Sequence, residues 1–161
     1  MIFVTVGSQL PFDRLIRAMD EWAGRNPGVR VFAQTGNGEY RPRHMEWRKH
    51  LALPEFRALC SEAGFIVSHA GIGNVLLALE LGKSLVILPR RAELKEHRND
   101  HQMATARRLE GRSGITVVYD EKEIGPVLNG ENSGGGVSAK FRPWASDELL
   151  CAISKFINEQ A

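Results

Sequence analysis
Apolar residues along this chain alternate between short β-branched runs and longer stretches that repeat every three to four positions. Residues 1–6, MIFVTV, form a strand-like run, and Gly7-Ser8-Gln9 turns away from it. Pro11 opens a helix in which Phe12, Leu15, Ile16 and Met19 fall on one face. Asn26-Pro27-Gly28 reads as a turn, residues 29–34 as a second strand and residues 35–38 as a glycine-containing loop. Residues 44–50 show no clear period. Leu51-Ala52-Leu53 is expected as a short third strand, with Pro54 opening a helix over 55–62. Residues 84–88 form another apolar run, ended by Pro89. A polar loop over 90–98 leads into a helix to about Leu109, a last strand over 115–119 and a short helix over 121–128. Residues 129–143 are expected as a mobile glycine-rich loop and 147–157 as a closing amphipathic helix. Strands alternating with helices at these spacings give a Rossmann-like, doubly wound parallel α/β sheet in a single domain over 1–161.

The stretch from Phe65 to Gly82, FIVSHAGIGNVLLALELG, organises the rest. A buried-strand run over 65–67 meets Ser68-His69, then the turn Ala70-Gly71-Ile72-Gly73, then helix-forming residues from Asn74 to Leu81. Gly82 is placed to cap that helix in the left-handed conformation. Strand, glycine turn and helix N-terminus make an anion site, because glycines admit close approach to backbone N–H groups and the helix dipole favours negative charge. A phosphate fits such a site. A tight turn that binds nothing has the same local pattern.

Composition narrows the class. Of 161 residues, 43% are apolar and 25% charged, an ordinary globular balance that excludes a disordered chain. No apolar run approaches the length that spans a bilayer, and the N-terminus has no signal-peptide pattern. Cys60 and Cys151 sit in predicted helices without metal-ligand spacing and read as buried thiols of a reducing, cytoplasmic compartment. The net charge of +2 is unevenly spread. Arg41, Arg43, Arg48 and Lys49 form one basic group, and Arg90, Arg91, Lys95 and Arg98 another. They read either as solvated surface or as attraction to anionic substrates or lipid. No nucleic-acid-binding module accompanies them.

Two nucleotide motifs are excluded. The first turn lacks G-x-G-x-x-G, and the second strand ends in Gln34-Thr35 without the acid that holds a ribose. Gly82-Lys83-Ser84 imitates the end of a P-loop, but Leu77 stands where that motif needs glycine, and the helix precedes the lysine. His97 and His101, four apart, have metal-chelating spacing on a helix but no evident third ligand, so no metal is expected.

Phe3-Val4-Thr5-Val6-Gly7-Ser8-Gln9 with Pro11-Phe12-Asp13, Ser68-His69-Ala70-Gly71, Gly82-Lys83 before a strand ending in Pro89-Arg90, and Glu96-His97 leading to Asp100-His101-Gln102 occur in that order. Together they resemble the glycosyltransferase family 28 C-terminal domain, over residues 1–109. Within it, the chain is similar to the small stand-alone subunits of two-subunit UDP-sugar transferases. The resemblance implies the C-terminal, donor-binding half of a GT-B enzyme that uses a UDP-sugar without a cofactor or an obligatory metal. It places the diphosphate on Gly7, Ser8 and the backbone of Gly71, Ile72, Gly73 and Asn74. Leu53 lies where larger homologues pack the uracil, and Asp100, His101 and Gln102 would meet the donor sugar. Many relatives carry a ribose-gripping glutamate where this chain has Leu77.

The implied activity is inverting transfer to a polyprenyl-diphosphate-linked acceptor, as in exopolysaccharide or lipid-linked glycan synthesis. His69 is the candidate base, with loop shaping as its other reading and a base from the partner as a third. The implied partner is a membrane-anchored subunit that supplies the acceptor site and recruits the chain to the inner membrane face. A homodimer that completes the cleft is the alternative. Rival functions are a non-catalytic UDP-sugar-binding regulatory subunit and an enzyme that cleaves a sugar nucleotide, such as an epimerase.

Overall fold
The computed structural model describes residues 1–130. Six parallel strands form one sheet: β1 (Ile2–Thr5), β2 (Val31–Gln34), β3 (Glu46–Arg48), β4 (Phe65–Ser68), β5 (Ser84–Ile87) and β6 (Ile115–Val117). Their order in space is β3-β2-β1-β4-β5-β6. The chain thus builds outward from β1 to one edge, then returns to the other side of β1, leaving a topological switch between β1 and β4. Across it Val4 pairs with Val67 and Thr5 with Ser68.

Alternation along the central strands sends side chains to two cores. Ile2 and Val4 join Leu15, Ile16, Met19 and Trp22 of α1 (Asp13–Arg25) and Ile124 of α5 (Ile124–Leu128). Phe3 and Ile66 point the other way, onto α2 (Leu53–Glu62), α3 (Ile72–Glu80) and α4 (His101–Leu109). Phe3, Leu15, Ile16 and Ile66 are at most 1% exposed, so each contributes on the order of 2 kcal/mol by burial. Cys60 packs inside the second core, and burial pushes its thiol up to about 11, as expected for an unreactive interior cysteine.

Two element assignments change. The third strand is Glu46–Arg48, and Leu51-Ala52-Leu53 is instead the approach to α2 and its first residue. Only Trp47 of this edge strand packs on the core, and one apolar residue flanked by Glu46 and Arg48 leaves no readable apolar run. Asp20 holds the approach to that edge. Its buried carboxylate accepts the N–H groups of Arg43 and His44 and the Tyr40 hydroxyl. Burial works to raise Asp20, but these hydrogen bonds leave it below the ordinary carboxylate value. The second change concerns α3, which starts at Ile72, two residues before Asn74. Its end follows expectation: Gly82 has φ +63°, with Lys83 N–H bonded to Ala78 O and Gly82 N–H to Leu79 O. The 129–143 loop beyond residue 130 and the helix over 147–157 lie outside the described residues.

Candidate functional site
Beyond the carboxyl ends of β1 and β4 lies a cleft of about 560 Å³, at the position where open α/β sheets receive ligands. One wall is the segment after β1, including Gly7 and Ser8. The chain can turn there because Gly7 adopts φ +74°. Its N–H donates to Thr5 Oγ1 at 3.2 Å, and Thr5 Oγ1 in turn donates to Gln34 Oε1 at 2.7 Å.

The opposite wall is the start of α3. Gly71 is its N-cap and gives the helix no side-chain cap, and the first turn holds no acid. The leading N–H groups of Ile72 and Gly73 have no acceptor within the helix and project from its end, where the dipole is positive. A Cβ on Gly73 would meet nothing within 4 Å, so its face is open. Asn74 reaches back to lock the turn: Nδ2 donates to Ser68 Oγ at 2.7 Å, and Ser68 Oγ donates to the His69 carbonyl at 2.9 Å.

His69 lies between the walls. A Cβ on either Gly7 or Gly71 would collide with its ring, so both glycines are needed for it to sit there. Burial, reinforced by the positive charge of Arg90, pushes the imidazole down to about 4. It is therefore uncharged at neutral pH and a weaker base than a free imidazole. The loop-shaping reading of His69 is the one its packing supports.

Gln102 forms part of the floor. It is 9% exposed, and its Oε1 accepts the Arg90 backbone N–H at 3.1 Å, which fixes the amide's orientation. His97 also lines the cleft, with Nδ1 at 3.1 Å from the Asn99 carbonyl and from Asn99 Oδ1. Neither His97 nor Arg90 was among the assigned site residues, although the sequence singled out Arg90 in a basic group and His97 for its spacing to His101. The available signal was the place of Pro89-Arg90 directly after β5, at a strand's carboxyl end.

The structure therefore brings together Gly7, Ser8, His69, Gly71, Ile72, Gly73, Asn74 and Gln102. Three expected residues lie elsewhere. Asp100 accepts the Ala92 N–H at 3.1 Å and borders a neighbouring depression with Arg91 and Arg107. His101 is exposed at the start of α4 and lines neither space. Leu53, 70% exposed, stands at the head of α2 outside the cleft. Leu77 packs on the second core, and Glu80, one turn on, pairs with Arg57 at 2.7 Å. Among the described residues no group of three or more His, Cys, Asp or Glu is arranged to hold a metal. No helix among them is long and apolar enough to cross a membrane.

Solved structures share this fold. The glycotransferase of kitacinnamycin aligns with a TM-score of 0.62 and 18% identity over 82% of this chain and 34% of its own. ALG13, solved by NMR, gives a TM-score of 0.62 and 17% identity over 92% of this chain and 93% of its own. UDP-GlcNAc 2-epimerase from Neisseria meningitidis, bound to UDP-GlcNAc, gives 0.56 and 13% identity over 98% of this chain and 43% of its own. The chain thus spans about a third of the kitacinnamycin enzyme and nearly all of ALG13. A comparison with curated proteins gave no significant match. The model of the glycosyltransferase family 28 C-terminal domain matches residues 1–127, the whole sheet and both walls of the cleft, and the chain belongs to that family.

Proposed function
We propose that this chain is the donor-binding subunit of an inverting glycosyltransferase that takes a UDP-sugar. One observation carries the reading. The uncapped start of α3 faces the Gly7-Ser8 turn across the switch between β1 and β4. Such a cleft suits a diphosphate, whose charge grows as it leaves the anomeric carbon. Amides already aimed at that charge stabilise it without reorganising. The acceptor hydroxyl forms the new bond to the anomeric carbon from the opposite face, the bond to UDP breaks, and the hydroxyl proton passes to a base. With His69 held as a weak base, the stronger base in this reading belongs to the acceptor half.

The acceptor half is a second, membrane-anchored subunit, and the acceptor is a polyprenyl-diphosphate-linked sugar at the inner membrane face. The mutual coverage with ALG13 supports a stand-alone subunit. Positioning of the acceptor supplies a large share of such a rate, so the isolated chain is expected to be nearly inactive. Co-expression with candidate membrane partners, followed by assay on lipid-linked acceptor, tests this. Transfer that appears only with a partner supports it, and robust transfer by the isolated monomer overturns the two-subunit reading. The likeness to the epimerase favours a second reading, in which the chain alone converts free UDP-sugar. Product analysis of the isolated chain with UDP-sugar separates the two.

A further inference from the structure
Arg90 is the largest fully enclosed side chain among the described residues, 2% exposed, although its neighbours in sequence suggested a solvated basic group. Its guanidinium reaches four backbone carbonyls. Nη1 donates to Pro11 O at 2.7 Å and Glu96 O at 3.3 Å, and Nη2 donates to Val6 O and Leu10 O, both at 2.7 Å. The group also lies 4.9 Å from the centroid of the Phe12 ring. These partners are all uncharged. The acids nearby are engaged elsewhere: Glu96 is bound by Arg14 at 2.7 and 2.9 Å and by the Arg91 N–H, and Glu121 by Arg14 at 2.9 Å. Burial pushes Arg90 down to about 10, with Glu96 opposing, so it stays charged at neutral pH.

A cation removed from water with no carboxylate against it is costly, and carbonyl dipoles offset only part of that cost. Arg90 lines the same cleft as Gly7, Ser8 and Gly71, and it clamps the segment that presents Gly7 and Ser8. We infer that Arg90 is a positioning residue for an anionic ligand, fixing residues 6–11 as the wall that faces the start of α3 and placing a fixed positive charge behind the phosphate seat without touching the phosphates. The inference rests on the nucleoside-diphosphate reading of the cleft and adds the residue that makes it prefer ligand charge.

The test is a calorimetric series on the full chain with uridine, UMP, UDP and inorganic pyrophosphate, for the wild type, Arg90→Lys and Arg90→Met. Arg90→Met should weaken UDP and pyrophosphate on the order of tenfold, UMP less and uridine not at all, because the lost attraction scales with ligand charge. Arg90→Lys keeps the charge without the four-carbonyl clamp, and should retain most of the preference for UDP over uridine. A role confined to the clamp would make lysine lose as much of that preference as methionine, which overturns the charge inference. If Arg90→Met does not fold, the lysine variant decides alone. A folded Arg90→Lys that has lost the preference overturns the inference, and one that has kept it supports it. Wild-type binding of pyrophosphate without UDP would contradict the nucleotide reading while leaving Arg90 measurable. Binding of neither by the wild type overturns both.

Discussion

The imidazole of His69 occupies the space where Gly7 would carry a side chain: a Cβ on Gly7 would lie 2.7 Å from its Cε1. The end of β1 and the end of β4 are therefore fitted to each other across the switch point, and the shape of the cleft depends on both. Gly7→Ala meets two obstacles, the left-handed backbone at φ +74° and the ring. Urea unfolding should show a loss on the order of 2–3 kcal/mol. In the His69→Ala background the clash is absent, so adding Gly7→Ala should cost only the backbone strain, about 1 kcal/mol. Strict additivity of the two substitutions would mean that ring and turn are not fitted to each other.

His69 also leaves a signature in pH. Its imidazole titrates near 4 in the folded protein against an ordinary 6.5, so the unfolded chain takes up the proton first. Stability from neutral His69 is complete above pH 6.5, declines as pH falls from there towards 4, and is level below that. The pH dependence of unfolding in the wild type should lose this component in His69→Asn. An NMR titration that places His69 near 6.5 would contradict the enclosed, neutral ring.

Gly73 separates stability from binding. Nothing lies within 4 Å of a Cβ there, and the position is inside α3. Gly73→Ala should stabilise the fold by about 0.5–1 kcal/mol, since glycine is a poor helix residue. Gly73→Val should fold and yet weaken UDP roughly tenfold, about 1.4 kcal/mol, by putting methyl groups where the phosphate approaches. Calorimetry and thermal unfolding on the same samples read both effects. Unchanged UDP affinity in folded Gly73→Val would remove the turn from the site.

Gln102 and Asp100, two positions apart in the family motif, should behave differently. Gln102→Ala leaves the buried Arg90 N–H without its acceptor, costing about 1–3 kcal/mol of stability. It should also weaken a whole UDP-sugar more than UDP, by on the order of 1 kcal/mol. Asp100→Ala should leave the ratio of the two affinities unchanged, because that carboxylate serves the Ala92 N–H outside the cleft. Parallel titrations with UDP and UDP-sugar check both. Equal losses in Gln102→Ala would show that it does not read the sugar.

The doubly wound sheet was legible because buried parallel strands leave short apolar runs and helices leave a periodic face. Phe12, Leu15, Ile16 and Met19 all enter one core, as their spacing predicts. The edge strand was not legible, since Glu46 and Arg48 face solvent and their backbone pairing leaves no pattern in side-chain type. Leu51-Ala52-Leu53 misled for the converse reason: an apolar run need not be buried, and Leu53 is exposed. At the site, the Gly71-Ile72-Gly73 turn was readable from its place between an apolar run and a helix-forming run, although only Gly71 of the two is required beside His69. The depth of Arg90 was not, because its burial depends on four carbonyls, three of them from residues about 80 positions away in sequence. Likewise Asp100 and Gln102, two positions apart around the start of α4, point to different spaces.

The central claim is that the walls of this cleft, built from backbone amides and a helix terminus, receive the diphosphate of a uridine nucleotide. It is tested most directly by titrating UDP into the purified chain with and without a metal chelator while following backbone amide shifts by NMR. The expected result is saturable binding that survives the chelator, with the largest shifts at Gly7, Ser8, Ile72 and Gly73. Absence of binding, or shifts that leave those four amides untouched, would contradict it.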